Sequence, residues 1–507
     1  MKFERSGGIL LHPTSLPGPY GIGDLGPQAY RFVDWLVSTG CKLWQILPLG
    51  PTGYGDSPYQ CFSAFAGNPY LISFDLLLAD GLLTLEDLGN VPDFLASRVD
   101  FGWLIPWKLN LLQKAFDRFS SAPEDLHKQF EHFCAENASW LDDYALFMSI
   151  KEANGGGAWS GWDKPIRTRK KSALDKARKE HAKNVRRYAF YQFLFFRQWN
   201  HLRKYANERG IKIIGDIPIF IAYDSADAWA NPELFFLDKE SLPMVVAGVP
   251  PDYFSPTGQL WGNPLYRWDV HKETGYAWWV DRFRAVLSMV DIVRLDHFRG
   301  FAAYFEIPFS SPTAETGRWV PGPGNDLFKV LDEKLSDPRT AEIELPIIAE
   351  DLGVITSDVV QLRDSFKLPG MKILQFGFVR PSDPFLPHNY PSHCVAYTGT
   401  HDNDTARGWF ESNIPGEQEF AIRYLNLKPC KGSTLSEIFA WTLIRTVWSS
   451  VAVYALAPMQ DFLNLGTEAR MNYPSRLGGN WEWRMREEDM SQELANRLKE
   501  LNELYLR

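Results

Sequence analysis

The chain has 507 residues, of which 45% are hydrophobic, a length that suits either a barrel with insertions or two to three domains. Its net charge of −9 gives no electrostatic reason to bind nucleic acid or an anionic membrane, so we expect neither partner. No apolar run approaches a membrane span, and the N-terminal run 9–11 is too short for a signal-peptide core. Five scattered cysteines without a CxxC motif suit a reducing compartment, and we expect a cytoplasmic protein.

Short apolar runs recur along the chain and predict buried β-strands, because they are rich in Ile, Val and Leu and are bounded by polar residues. They cover residues 8–12, 43–47, 211–216, 291–296, 346–350, 371–376, 394–398 and 451–456. Helical patterns separate several of them, at 279–288, 357–366 and 435–450. Alternating strands and helices indicate parallel βαβ units. Eight such strands predict an α/β protein of the closed (β/α)8 barrel type.

Two connections between these strands are too long for simple loops. Residues 71–175 carry helical patterns and are predicted to form a mostly helical insertion, whereas 221–285 are rich in Pro, Gly and aromatic residues. We expect the second segment to form an irregular lobe over the barrel mouth. The predicted division is barrel strands one and two in 1–70, the helical insertion in 71–175, strand three in 176–220, the lobe in 221–285 and strands four to eight in 286–507. Only about 50 residues follow the last strand, too few for a C-terminal β-sandwich.

Four acidic residues stand at the ends of predicted strands: Asp216, Asp296, Glu350 and Asp402. The carboxyl ends of parallel barrel strands meet at one rim, where barrel enzymes place their chemistry. Arg294 precedes Asp296 by two residues, so both side chains lie on one face of the strand, and a guanidinium there would keep Asp296 ionised. Glu350 follows an apolar run, and burial would raise its pKa for general-acid work. Each acid alone could be a structural cap, but together they favour the cleavage of glycosidic bonds.

Other motifs have simpler interpretations. The GxGxxG sequence at 21–26 follows a proline-rich loop and has no acid near position 41–46, so it is interpreted as a loop after strand one. The basic run 164–187 is interpreted as a solvated helix face. Residues 401–404 (His-Asp-Asn-Asp) could bind calcium, but they lack an EF-hand loop, and a role in binding sugar hydroxyls is favoured. We predict no metal and no cofactor.

At these residues the chain resembles the amylomaltases, the 4-α-glucanotransferases of glycoside hydrolase family 77 in the α-amylase clan. The resemblance runs from residue 12 to residue 484, which is nearly the whole chain. The segments that carry it are 12–17 (HPTSLP), 55–59 (GDSPY), 215–220 (GDIPIF), 249–254 (VPPDYF), 258–263 (GQLWGN), 294–299 (RLDHFR), 349–353 (AEDLG), 400–405 (THDNDT) and 479–484 (GNWEWR).

The resemblance implies a retaining double displacement that transfers α-1,4-glucan segments from a donor to an acceptor glucan or to glucose, with linear or cyclic products. It implies that Asp296 is the nucleophile, that Glu350 is the acid/base and that Asp402 binds sugar hydroxyls and stabilises the oxocarbenium-like state. Substrate contacts are implied for Ser57, Tyr59, Asp216, Arg294, His401 and Asn472. A loop over the donor chain, 248–261, is implied to contribute Tyr253, Phe254, Gln259 and Trp261.

The chain departs from the family pattern after Pro474, where Ser475 and Arg476 follow instead of the glycine that is often found there. Two alternatives to a transferase remain open from sequence. One is an α-glucan hydrolase of the same clan, in which water is the acceptor, and the other is a glucan-binding protein that has kept the barrel. An aromatic loop that excludes water would favour transfer, and a binding protein has no need for all three carboxylates.

Overall fold

The computed structural model describes residues 3–251, 255–335, 345–429, 432–474, 476 and 478–507. Its strands are β1 Ser6–Leu10, β2 Leu43–Gln45, β3 Lys212–Pro218, β4 Val245–Val249, β5 Gln259–Pro264, β6 Ile292–Asp296, β7 Ala303–Pro308, β8 Arg318–Pro321, β9 Ile347–Ala349, β10 Gly370–Ile373, β11 Cys394–Tyr397 and β12 Tyr454–Pro458. Eight of them form a closed parallel barrel in the order β1-β2-β3-β6-β9-β10-β11-β12, with β12 paired to β1. The predicted (β/α)8 barrel is confirmed.

The barrel interior is filled by every second strand residue, because successive side chains of a strand point to opposite faces. These residues are Leu43, Ile214, Ile292, Ile348, Met371, Ile373, Val395, Tyr397, Tyr454 and Leu456, which pack in one cluster. Gly8 of β1 has no room for a side chain, since an added Cβ would meet the Cβ of Leu43 at 2.4 Å. The same alternation carries Asp216, Arg294, Asp296 and Glu350 to the inward face, above the apolar filling.

The helices described are α1 Pro27–Ser38, α2 Phe74–Ala79, α3 Leu85–Leu88, α4 Phe101–Phe119, α5 Glu124–Ala153, α6 Lys164–Arg167, α7 Lys171–Glu180, α8 Ala182–Glu208, α9 Ala226–Ala230, α10 Trp268–Glu273, α11 Ala277–Met289, α12 Arg299–Ala302, α13 Gly324–Leu335, α14 Ser357–Ser365, α15 Ala406–Ser412, α16 Pro415–Tyr424, α17 Leu435–Ser449, α18 Met459–Phe462 and α19 Gln492–Tyr505. Helices α2–α8 lie between β2 and β3. In this region Phe190 and Phe193 of α8, one turn apart, both pack on Phe130 of α5. None of the helices described is both long and apolar enough to cross a membrane.

The basic run 164–187 is paired with acids of neighbouring segments. The ion pairs join Lys164 and Arg167 to Glu240, Arg169 and Arg178 to Asp143, Lys183 to Asp117, Arg186 to Glu131 and Arg187 to Glu152. These side chains therefore meet carboxylates of the same molecule.

Over the barrel mouth lies a four-stranded antiparallel sheet in the order β5-β4-β7-β8. The sequence predicted a lobe here but no sheet. Its strands are short, β4 contains a glycine, and β4 pairs with β7, whose residues lie about 60 positions further along the chain and beyond β6. Such a pairing has no local sequence signal. After β12, the described residues form helices and 3-10 turns and no further strand.

Arg507 lies at the base of the barrel, where its side chain binds the segment before β12. Its buried guanidinium donates to the carbonyls of Trp448 (2.7 Å), Ala452 (3.1 Å) and Ser450 (3.2 Å). Those carbonyls lie at the C-terminal end of α17 and in the turn before β12, where backbone acceptors have no partner within the helix. Arg507 thus ties the end of the chain to the last βα unit.

Replacing Arg507 with Met should lower the free energy of unfolding by about 2 kcal/mol or more, because several buried carbonyls lose a charged donor. Urea titration followed by tryptophan fluorescence measures the change. Lys499→Met is the matched control, because the Lys499 amine lies 4.0 Å from Glu503 on the exposed face of α19 and should contribute little. Equal stability of both variants would contradict this role.

Candidate active site

Three charged side chains meet inside the carboxyl end of the barrel. In the β3–β6 ladder Asp216 is opposite Arg294, and Pro218 is opposite Asp296. Nη1 of Arg294 lies 2.6 Å from Oδ2 of Asp216 and 2.9 Å from Oδ1 of Asp296. The side chain of Arg294 is 4% exposed and that of Asp216 is 0% exposed, whereas Asp296 is 27% exposed to the barrel mouth. One buried cation therefore holds two carboxylates, of which only Asp296 is accessible from the cleft.

Burial and the neighbouring charges shift the pKa values of Asp216 and Arg294 in opposite directions. Burial raises the pKa of Asp216 to about 6, with Arg294 opposing the rise. Burial alone would lower the pKa of Arg294, but the neighbouring carboxylates of Asp216 and Asp296 raise it well above its usual value. The guanidinium consequently stays charged, which is the condition for it to hold Asp296 in place.

Tyr59 extends this group toward the last strands. Its hydroxyl donates to Oδ2 of Asp216 at 2.9 Å, and its ring stacks on His401 with centroids 5.1 Å apart. The indole of Trp481 packs against both rings. A loop residue after β2 thus fixes the position of a histidine that follows β11.

Glu350 follows β9 directly and is buried. Its Oε2 accepts the backbone N–H of His297 at 2.7 Å, and its Oε1 accepts that of Leu352 at 2.8 Å. Burial, and next the nearby carboxylate of Asp296, raise the pKa of Glu350 to about 8, although Arg294 and the two N–H donors oppose the rise. The raised pKa favours the protonated form of Glu350, which can give its proton to a leaving oxygen.

His297 is a residue to which the sequence analysis gave no role. It adopts a left-handed backbone conformation (φ 52°), which is uncommon for a residue other than glycine. In this conformation the residue after Asp296 donates its N–H to Glu350. Its ring packs edge-on against Trp261 of β5 at 4.9 Å. The sequence signal was only its position between two acidic strand ends.

Asp402 has a different environment. Its Oδ1 accepts a hydrogen bond from Nδ2 of Asn472 at 2.7 Å, and its Oδ2 lies 3.4 Å from Nε2 of His401. These partners lower its pKa well below its usual range, although burial opposes them. Its side chain is 46% exposed, so the carboxylate can still reach a ligand.

Arg470, which the sequence analysis did not single out, supports Asp402 from behind. Its Nη2 donates to the carbonyl of Asp402 at 2.7 Å, and its Nε donates to the carbonyl of Asn472 at 2.7 Å. The guanidinium also lies over the ring of Tyr473. One arginine therefore fixes both residues of the Asn472–Asp402 hydrogen bond.

The remaining predicted site residues are Ser57, Tyr253, Phe254, Gln259 and Trp261. The hydroxyl of Ser57 accepts the N–H of Tyr59, and Oε1 of Gln259 accepts the indole N–H of Trp261. Both polar groups thus have partners within their own segments. Tyr253 and Phe254 lie outside the described residues. One cleft is lined by Trp261, Asn472, Trp481 and Ser57 together with the exposed Tyr54.

Four polar atoms of this group are buried without a hydrogen-bond partner in the described part of the chain: Oδ1 of Asp216, Nε of Arg294, Nε2 of His297 and Nδ1 of His401. Buried polar atoms are normally paired, so the described protein groups leave part of the hydrogen-bonding capacity of this group unused. No group of three His, Cys, Asp or Glu side chains suited to a metal occurs among the residues described. The absence of a required metal stays a prediction.

The carboxyl groups of Asp296 and Glu350 have different environments. Asp296 is partly exposed and held by a cation, whereas Glu350 is buried and has a raised pKa. Glycosidic bond cleavage requires this division between an ionised and a protonated carboxyl group.

Comparison with known proteins agrees with this geometry. The sequence model of glycoside hydrolase family 77, described as 4-alpha-glucanotransferase, matches residues 11–491. The 4-alpha-glucanotransferase of Thermus thermophilus is 52% identical over 99% of this chain and 99% of its own length. That of Synechocystis sp. is 49% identical over 100% and 98%. The amylomaltase from Streptococcus agalactiae, solved in complex with acarbose, superposes with a TM-score of 0.94 at 42% identity, covering 99% of this chain and 100% of its own. The chain therefore belongs to glycoside hydrolase family 77, the 4-alpha-glucanotransferases.

Proposed function

We propose that this enzyme transfers α-1,4-glucan segments between glucans through a covalent glycosyl-enzyme. Asp296 attacks the anomeric carbon while Glu350 protonates the leaving oxygen. An acceptor hydroxyl, deprotonated by Glu350, then displaces Asp296, so the configuration at the anomeric carbon is retained. The observation that carries this proposal is the ion pair of Arg294 with Asp296 beside a buried Glu350 whose pKa is raised to about 8.

Asp402 is proposed to bind sugar hydroxyls and to stabilise the positive charge that develops on the ring. Its low pKa keeps it ionised, and Asn472 and Arg470 fix its orientation. A preorganised negative charge of this kind favours the transition state over the ground state. Asp216, whose side chain is fully buried, is proposed to act on the bound sugar through Arg294 and Tyr59, and His401 is proposed to bind the sugar beside Asp402.

Transfer requires that a sugar reaches the intermediate more often than water does. The sheet β5-β4-β7-β8 supports transfer rather than hydrolysis. Its residue Trp261 lines the cleft that also contains Asn472 and Trp481, and it packs on His297, next to Asp296. The loop 248–261, with Tyr253, Phe254 and Gln259, is proposed to cover the donor chain. An apolar surface there would bind an acceptor glucan and exclude water.

The substrates proposed are maltooligosaccharides, amylose, starch or glycogen, and the location proposed is the cytoplasm. The division of the chain into barrel, helical insertion (71–175) and lobe (221–285) is retained as a proposal. Support for the proposed substrates comes from the named relatives and from the acarbose complex of the Streptococcus agalactiae protein.

Incubation with maltotriose should yield glucose together with maltopentaose and longer chains, while the number of reducing ends stays constant. Transfer conserves the number of chains, whereas hydrolysis adds one reducing end per cleavage. Chromatography by size combined with a reducing-end assay measures both quantities. Glucose and maltose with rising reducing ends would identify a hydrolase, and unchanged maltotriose would favour a binding protein.

Replacing Glu350 with Gln should lower kcat/KM for maltotriose by roughly 10²–10⁴-fold, because the leaving oxygen loses its proton donor. In the native enzyme the acid form exists below its pKa of about 8, so kcat/KM should fall as the pH rises through that value. The residual activity of the variant should lack this alkaline decline. Glu333→Gln, on the exposed face of α13, is the control and should keep the native pH profile. An unchanged alkaline decline in Glu350→Gln would assign the titration to another group.

A further inference from the structure

A second cleft lies beside the cleft that is lined by Trp261, Asn472 and Trp481, and it is rich in arginine. The two clefts share Tyr473 and Arg476, so these two residues lie between them. The lining includes Arg98, Arg470, Arg476, Arg484 and Arg486. This concentration of positive charge contrasts with the net charge of −9 of the whole chain.

Three arginines of this cleft, Arg98, Arg470 and Arg484, lie in segments that are held by hydrogen bonds to backbone. Val99 N–H donates to the carbonyl of Glu482 at 2.7 Å, and Arg484 N–H donates to the carbonyl of Ser97 at 2.9 Å. Segments 97–99 and 482–484 are thereby paired, which fixes the Cα positions of Arg98 and Arg484. Arg470 is fixed by its bonds to the carbonyls of Asp402 and Asn472.

Most of this positive charge has no carboxylate partner. Of the five cleft arginines, and within the described ranges, only Arg486 has a carboxylate within ion-pair distance, that of Glu488 at 3.8 Å. Arg484 is 2% exposed, yet its side-chain partners are the carbonyls of Gly18 (2.8 Å), Leu95 and Leu16. Burial lowers the pKa of Arg484 to about 10, against a smaller opposing effect of Asp24. Its charge is therefore desolvated without full compensation.

Three acids also line the cleft, but two of them are bound to backbone. Oε1 of Glu468 accepts the N–H of Gly466 at 3.0 Å, and Oδ2 of Asp489 accepts the N–H of Arg486 at 2.7 Å. The third acid is Glu482. Five arginines against three acids leave a positive excess in a confined space, which an anionic ligand would neutralise.

We propose that this arginine cleft binds the phosphate group of a phosphorylated sugar, either a free hexose phosphate or a phosphate monoester carried on a glucan chain. Guanidinium groups match the planar, bidentate geometry of phosphate oxygens. The cleft adjoins the active site through Tyr473 and Arg476, and Trp483 contributes an apolar surface that suits the sugar ring. The glucan-borne source rests on the proposed function, whereas binding of a free sugar phosphate does not.

Isothermal titration of the full chain with glucose 6-phosphate, inorganic phosphate and glucose, at matched ionic strength in sodium chloride, tests binding without turnover. Glucose 6-phosphate should bind more tightly than inorganic phosphate, and glucose should not bind at this cleft. The double variant Arg98→Met/Arg476→Met should weaken glucose 6-phosphate binding by roughly tenfold or more. Arg284→Met, which removes an exposed arginine of α11, is the control and should bind normally.

The source of the phosphate is distinguished by kinetics. A phosphorylated dextrin should have a lower KM than the same dextrin after phosphatase treatment, and Arg98→Met should abolish that difference without changing activity on maltotriose. Equal KM values together with tight glucose 6-phosphate binding would identify the free hexose phosphate as the ligand. Absence of glucose 6-phosphate binding, or equal binding by the double variant, would overturn the proposal while leaving the transferase activity untouched.

Discussion

The architecture of the active site depends on one buried guanidinium. Arg294 lies on the inward face of β6 and needs compensating charge, which Asp216 and Asp296 supply from 2.6 and 2.9 Å. Asp216 is in turn bound by Tyr59, and the ring of Tyr59 stacks on His401 beside Asp402. Residues from β3, β6, the loop after β2 and the loop after β11 are therefore fixed through a continuous series of contacts. Removing the cation would leave two carboxylates facing each other without compensation.

The proposed glycosyl transfer depends on the different environments of Asp296 and Glu350 at the barrel mouth. Asp296 faces the cleft and is held by Arg294, whereas Glu350 is buried and bound by two backbone N–H groups. The left-handed conformation of His297 allows the residue after Asp296 to donate its backbone N–H to Glu350. Its ring meets Trp261, so the sheet over the mouth is in contact with the residue that links the two carboxyl groups. His297 therefore contacts both Trp261 of the sheet and the carboxyl group of Glu350.

The barrel was predictable from sequence because buried parallel strands leave a strong local signal of Ile, Val and Leu. The boundaries shifted at some strands. For example, β1 begins at Ser6 because Ser6 and Gly7 pair with β12 although their side chains give no apolar signal, and β12 ends at Pro458, which pairs with Leu10. The acids at the strand ends were found because barrel geometry concentrates chemistry there. The β4–β7 pairing and the supporting role of Arg470 could not be predicted, because both depend on contacts between residues far apart in sequence. The deep burial of Arg294 likewise became visible only in three dimensions.

The most direct test of this account is to trap the glycosyl-enzyme. Maltotriosyl fluoride has a leaving group that needs little acid assistance, so Glu350→Gln should still be glycosylated but should release the sugar slowly for lack of a base. Mass spectrometry of the intact variant should show one added maltotriosyl unit, and peptide mapping should place it on Asp296. A label on another residue, or no covalent adduct while products with retained configuration accumulate, would contradict the assignment of Asp296 as the nucleophile.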